Sequence, residues 1–263
     1  MSRIAEVFHQ DSKHAKLIAY VCALDPDYNT SLSVCKCLLE SGVDILELGV
    51  PFSDPVADGK TNQLAAERAL AAGATPDQVF ELVREIRKFS EVPIVLYTYY
   101  NIVFNKGVAN YAKIAAEAGV DGILSLDLPP EEAGSMVEAC KQEGVDCIFL
   151  IAPTTPEARI PVIVKDASGF IYYVSREGVT GERADVAADI GQRVELIRKY
   201  TSLPVGVGFG VSNADHVRQI ADHADAVIVG SSIVKIIAEN GQSPDKLLPM
   251  LEAKIKDLKS GLH

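Results

Sequence analysis

Eight short runs rich in Ile, Val, Leu and Tyr recur along the chain, at residues 17–24, 44–52, 93–101, 122–129, 146–153, 170–175, 204–212 and 226–231. Runs of this length with little polar alternation read as strands buried on both faces, the pattern of a parallel sheet covered by helices. Helical patterns lie between them, among them SLSVCKCLLESG, PDQVFELVREIRKF, YAKIAAEAG, EEAGSMVEACKQEG and DIGQRVELIRKY, and several end in glycine as helix C-termini do. A further helical stretch, TNQLAAERALAAG, fills the longer gap between the second and third strands. Strand and helix in eightfold alternation predict an α/β fold, a single (β/α)8 TIM barrel with extra helices. An open doubly wound sheet carries the same local signals, because closure leaves no local trace. No linker, low-complexity tract or charge block divides the chain, so residues 1–263 are expected to form one domain.

Composition narrows the class. A net charge of −11 argues against a general surface for nucleic acid or anionic membrane, while a local anion pocket stays open. The five cysteines form no C-x-x-C pair, and the N-terminal MSRIAEVFHQDSKHAK lacks the apolar run of a signal peptide. A reducing, cytoplasmic compartment follows as the expectation. The longest apolar stretches, such as LIAYVCAL, are too short to span a bilayer.

Within the second run, ILELG places a carboxylate, Glu47, between Leu46 and Leu48. Side chains alternate along a strand, so if the two leucines face the helices, Glu47 faces the barrel interior. There, desolvation favours the protonated form and fits the residue for giving and taking a proton. A purely structural Glu, bonded to backbone or to a tyrosine, is the plainer alternative. Asp54 and Asp58 follow in FSDPVADGK, where each taken separately reads as a turn residue.

A barrel of this kind works at the C-terminal ends of its strands, and a phosphate often sits beyond strands seven and eight. VGFGVSN and VGSSIVK end those strands here, making Gly208, Gly210, Gly230 and Ser231 candidates for an anion held on backbone N–H groups. The same glycines also suit crowded barrel corners. Between strand six and its helix, SREGVTGERADVAADIG is long enough to close over a ligand or to be an ordinary surface loop. None of the eight expected strands contains Lys or His, which leaves a Schiff-base or His-metal aldolase without its residues at the mouth.

The stretch DILELGVPFSDPVADG closely resembles the signature of the tryptophan synthase alpha subunit family. The resemblance continues through YNIVFNKG, SREGVTG, GFGVS and VGSSIVKII, nearly the length of the chain. It implies a carbon–carbon lyase for tryptophan biosynthesis. The enzyme would cleave indole-3-glycerol phosphate to indole and glyceraldehyde 3-phosphate, use no cofactor or metal, and pass indole to a beta subunit in an α2β2 assembly. Carried over by position, Glu47 is the acid/base and Asp58 takes the indole N–H. Tyr20, Tyr99 and Tyr172 line the indole site, with Thr180 and Gly181 in the closing loop. Gly181, Gly210, Gly230 and Ser231 meet the phosphate beside Phe209.

Three places depart from the family's usual pattern. Cys22-Ala23-Leu24-Asp25-Pro26 stands where Thr-x-Gly-Asp-Pro is usual, Lys60 where Pro is common, and Tyr97 where an aliphatic residue is usual. Leu24 and Lys60 bear on partner coupling, and the loop carrying Asp58 shows no core anchor in the sequence, so a partner is expected to complete the site. A catalytically damped barrel that mainly binds and activates the beta subunit is therefore the alternative function. Another phosphate-binding barrel, an epimerase or isomerase, does not predict the Glu47 motif.

Overall fold

The computed structural model describes residues 2–10, 14–175, 183–208 and 210–262. Helix α1 (Arg3–Gln10) precedes β1 (Lys16–Cys22) and α2 (Tyr28–Glu40); β2 (Ile45–Gly49) is followed by α3 (Lys60–Ala71) and α4 (Pro76–Arg87). Then come β3 (Ile94–Thr98), α5 (Tyr100–Lys106) and α6 (Val108–Ala118), β4 (Gly122–Ser125) with α7 (Gly134–Glu143), and β5 (Asp146–Ile151) with α8 (Ile160–Val164). The chain continues through β6 (Ile171–Val174), α9 (Arg183–Arg198), β7 (Val205–Gly208), α10 (Ala214–Ala221), β8 (Ala226–Val229), α11 (Ser231–Asn240) and α12 (Pro244–Lys259).

All eight strands are parallel and pair in chain order, and β1 closes on β8 from Lys16↔Ala226 to Ala19↔Val229. Closure settles the choice between barrel and open sheet. Alternation along the strands divides the apolar residues into two layers. Ile18, Ile45, Val95, Leu124, Ile148, Phe170 and Ile228 fill the barrel, while Leu46, Leu48, Leu96 and Ile123 pack outward against the helices.

The N-terminal end of the barrel is sealed in two ways. Helix α1, absent from the expected elements, inserts Ile4 into the inner layer, with Val7 and Phe8 packed there at the i, i+3, i+4 spacing of an amphipathic helix. Three aspartates just ahead of even-numbered strands accept N–H groups from the first or second residue of the odd-numbered strands before them. Asp44 takes Leu17, Asp121 takes Ile94 and Asp225 takes Val205, each at 2.8 Å. These N–H groups would otherwise be buried without partners, at a cost of about 1–3 kcal/mol each.

Two expectations need adjusting. The strands stop short of the apolar runs at their C-terminal ends, because the last residues of those runs turn into the loops of the working face. Strand β1 also begins at Lys16, so one strand does contain a lysine; it is buried at the sealed end, away from the mouth. Among the described residues no helix is long and apolar enough to cross a membrane.

Candidate active site

At the C-terminal mouth lies a cavity of about 300 Å³, walled by Tyr20, Tyr97, Leu126, Leu150, Tyr172, Val174 and Ile228 and edged by Asp58, Asn62, Ser175, Gly208, Gly210, Gly230 and Ser231. Its walls are the inward-facing residues at the ends of the strands. Apolar rings and aliphatic chains surround a few polar groups, the make-up of a site for a largely apolar ligand with a polar handle.

Glu47 is level with the wall residue Tyr20 but is not itself among the residues that line this cavity. It pairs in register with Tyr20 on one side and Val95 on the other, is fully buried, and neither carboxyl oxygen has a hydrogen-bond partner among the described residues. Desolvation, helped by the charge of Asp58, pushes its carboxyl up to about 8. The structural alternative, a glutamate bonded to backbone or tyrosine, therefore finds no support in its surroundings. An unpartnered carboxyl costs stability, so its presence needs a reason outside packing.

Asp58 is held more firmly than its loop implies. Tyr97 donates its hydroxyl to Oδ1 at 3.0 Å and Tyr99 donates to Oδ2 at 2.7 Å, while Gln63 Nε2 reaches the Asp58 carbonyl at 2.9 Å. The Tyr99 oxygen in turn accepts the Ala57 N–H at 3.0 Å. Burial raises the proton affinity of Asp58, and hydrogen bonds from Tyr99, Tyr97 and Asn62 oppose it. The expectation of a loop without an anchor is thus corrected. Farther along, Arg68 of α3 forks onto the buried Asp25 at 2.8 and 2.7 Å, fastening the helix that follows the loop. Asp54 behaves as a turn residue, exposed and bonded to Ser53 at 2.6 Å.

Tyr20 and Tyr172 lie on the cavity wall. Tyr99 stands behind Asp58, stacked on Phe52 with ring centroids 5.0 Å apart, and reaches the site only through the aspartate. Gly210 and Ser231 are exposed at the rim. Around Gly210 a side chain would meet nothing within 4 Å, whereas at Gly230 one would stand 3.1 Å from the Tyr20 ring, and at Gly208 3.0 Å from Tyr172. Gly208 and Gly230 therefore make room for the tyrosines, as crowded-corner glycines do, and Gly210 has no such duty. No side chain caps α11, so its first N–H groups, next to Gly230 and Ser231, are placed for an anion. Thr180, Gly181 and Phe209 lie outside the described residues.

A family model described as tryptophan synthase alpha chain matches residues 8–263. The chain belongs to the tryptophan synthase alpha chain family. A tryptophan synthase alpha chain of Opitutus terrae is 56% identical over 263 residues, 99% of each chain, and one from Neisseria meningitidis serogroup B is 46% identical over 258 residues, covering 98% and 99%. Among solved structures, the alpha subunit from Legionella pneumophila superposes with a TM-score of 0.91 at 35% identity, covering 100% of this chain and 98% of the other. A chain of the tryptophan synthase complex from Pyrococcus furiosus gives 0.86 at 39% identity, covering 94% and 98%.

Against the family pattern, the structure shows what two of the three departures do. Leu24 adopts φ 67°, the left-handed region that favours glycine, and is buried. Tyr97 puts a phenol on the cavity wall and a hydroxyl on Asp58. Asn62, with Nδ2 3.5 Å from Asp58 Oδ1, joins the site from α3. Neither partnership is visible in the sequence, although β3 paired with β2 brings Tyr97 opposite Gly49 and so near the start of the Asp58 loop.

Proposed function

We propose that Glu47 and Asp58 carry the reaction of this family in this chain, the cleavage of indole-3-glycerol phosphate to indole and glyceraldehyde 3-phosphate. The observation that bears most weight is the buried, unpartnered Glu47, its carboxyl at about 8, next in register to Tyr20 of a ring-sized cavity that has a second carboxylate on its edge. A protonated Glu47 gives its proton to C3 of the indole. The ring nitrogen, now positive, draws in the electrons of the bond to the glycerol chain. That bond breaks, the adjacent hydroxyl loses its proton to the ionised Glu47, and the carbon becomes the aldehyde. Asp58 accepts the ring N–H and offsets the charge that builds there.

The indole serves as its own electron sink, so the steps need no cofactor. The phosphate rests near Gly210, Gly230 and Ser231 at the start of α11, with Thr180, Gly181 and Phe209 completing that end.

A beta subunit receives the indole in an α2β2 assembly in the cytoplasm, and residues 1–263 act as one domain. Val56 in the Asp58 loop and Phe104 in α5 are 83% and 66% exposed apolar groups, and the same two segments supply Phe52, Asn101 and Lys106 to the lining of a groove. A partner covering them suits that composition.

The test is to measure cleavage of indole-3-glycerol phosphate by the chain alone and with its beta subunit. Measurable cleavage, raised by the partner, is the expected result. Binding of the partner with no cleavage in either state would instead favour the damped subunit, and neither binding nor cleavage would refute both.

A further inference from the structure

Asp58 belongs to the loop after β2, yet the hydroxyls that hold its carboxylate come from the next strand and its end. Tyr97 lies in β3 and Tyr99 just past its end, at the start of α5, and the two hydroxyls reach one carboxylate together. Their placements differ. Tyr99 approaches from behind and stacks on Phe52, whereas Tyr97 lines the cavity itself. Its ring packs edge-on against Tyr20, with centroids 5.0 Å apart and planes at 67°. Tyr20 in turn fits because Gly49 has no side chain, since a carbon added there would collide with the Tyr20 phenol. Gly49, Tyr20 and Tyr97 form a packed row that ends on Oδ1 of Asp58.

A carboxylate has about four lone-pair directions. One hydroxyl on each oxygen, with the longer contact from Asn62 Nδ2 to Oδ1, fixes the plane of the Asp58 group and leaves room for one further donor. The donor that fits the cavity edge is the ring N–H of a bound indole.

We propose that Tyr97 is a positioning residue for the reaction, holding Oδ1 of Asp58 from inside the barrel so that the carboxylate meets the substrate's ring N–H in the chain on its own. The proposal rests on the reading of Asp58 as the N–H acceptor. It makes Tyr97 a determinant of specificity as well, because its effect is transmitted only to ligands that carry the N–H.

The experiment uses two non-cleavable probes, an indol-3-yl alkyl phosphate and the benzothiophen-3-yl alkyl phosphate of equal length, in which sulfur replaces N–H. Dissociation constants are measured for the chain and for Tyr97→Phe, which keeps the ring and its packing on Tyr20. The original chain is expected to prefer the indole probe. Tyr97→Phe should weaken that probe about tenfold and leave the sulfur probe unchanged, with kcat/KM for cleavage falling in proportion. Equal weakening of both probes, or of neither, overturns the role given to Tyr97 while leaving Asp58 its own. If the original chain does not distinguish the probes, the reading of Asp58 itself is wrong and Tyr97 loses its role with it.

Discussion

Glu47 lies within the field of Asp58: desolvation first, and that charge second, push its carboxyl up to about 8. An unfolded glutamate titrates at about 4.3. Between these values the folded chain holds a proton that the unfolded chain has released, so stability falls as pH rises through this window, and above it the loss is complete. Glu47→Gln removes the titration. The variant should gain on the original protein from pH 5 to pH 8, by an amount on the order of a few kcal/mol. Denaturant melts at several pH values check this, and a pH-independent difference would contradict it.

Leu24 combines a left-handed backbone with a buried side chain, and its N–H donates to Ser31 Oγ at 2.9 Å. Leu24→Ala keeps the strained φ and loses the packing. Leu24→Gly loses the same packing and relieves the strain. The glycine variant should therefore be the more stable of the two by about 1 kcal/mol, opposite to the usual order of Ala and Gly. Paired urea melts with equal m-values decide the point.

Lys60 opens α3, where its charge meets the positive end of the helix. Gly59 before it has φ −70° and ψ 161°, a conformation that a following proline accepts. Lys60→Pro should raise stability by about 0.5–1 kcal/mol. A thermal melt lower than that of the original chain would show that the lysine makes a contact the proline cannot replace.

Gly210 and Gly230 separate two roles that look alike in the sequence. A valine at Gly210 enters open space, so it should leave the melting temperature nearly unchanged and raise KM for the phosphate substrate. A valine at Gly230 presses on Tyr20 and should lower both stability and affinity. Unchanged KM in the Gly210 variant would place the phosphate elsewhere.

Much of this fold is legible because its rules are local. Apolar runs of strand length, glycine-ended helices and the alternation that turns Glu47 inward from Leu46 and Leu48 need no knowledge of distant residues. Glu47 stands out because a carboxylate in such a run carries a cost that packing does not explain. Asp58 is less legible. Its own turn accounts for it, and the tyrosines that fix it lie about forty residues away, visible only once β3 is paired with β2. The glycines at 208 and 230 are ambiguous for the same reason, since the rings that need their space come from β6 and β1. Helix α1 is legible as well, since Ile4, Val7 and Phe8 stand at the i, i+3, i+4 spacing of one buried helix face.

In the proposed reaction Glu47 moves the protons of the cleavage. Glu47→Gln keeps the shape of the side chain and removes its acid and base, so single-turnover cleavage of indole-3-glycerol phosphate measures that role directly. The rate should fall by about two or more orders of magnitude, with affinity for a non-cleavable indolyl alkyl phosphate nearly unchanged. A variant that binds the probe and still cleaves at close to the original rate would contradict it.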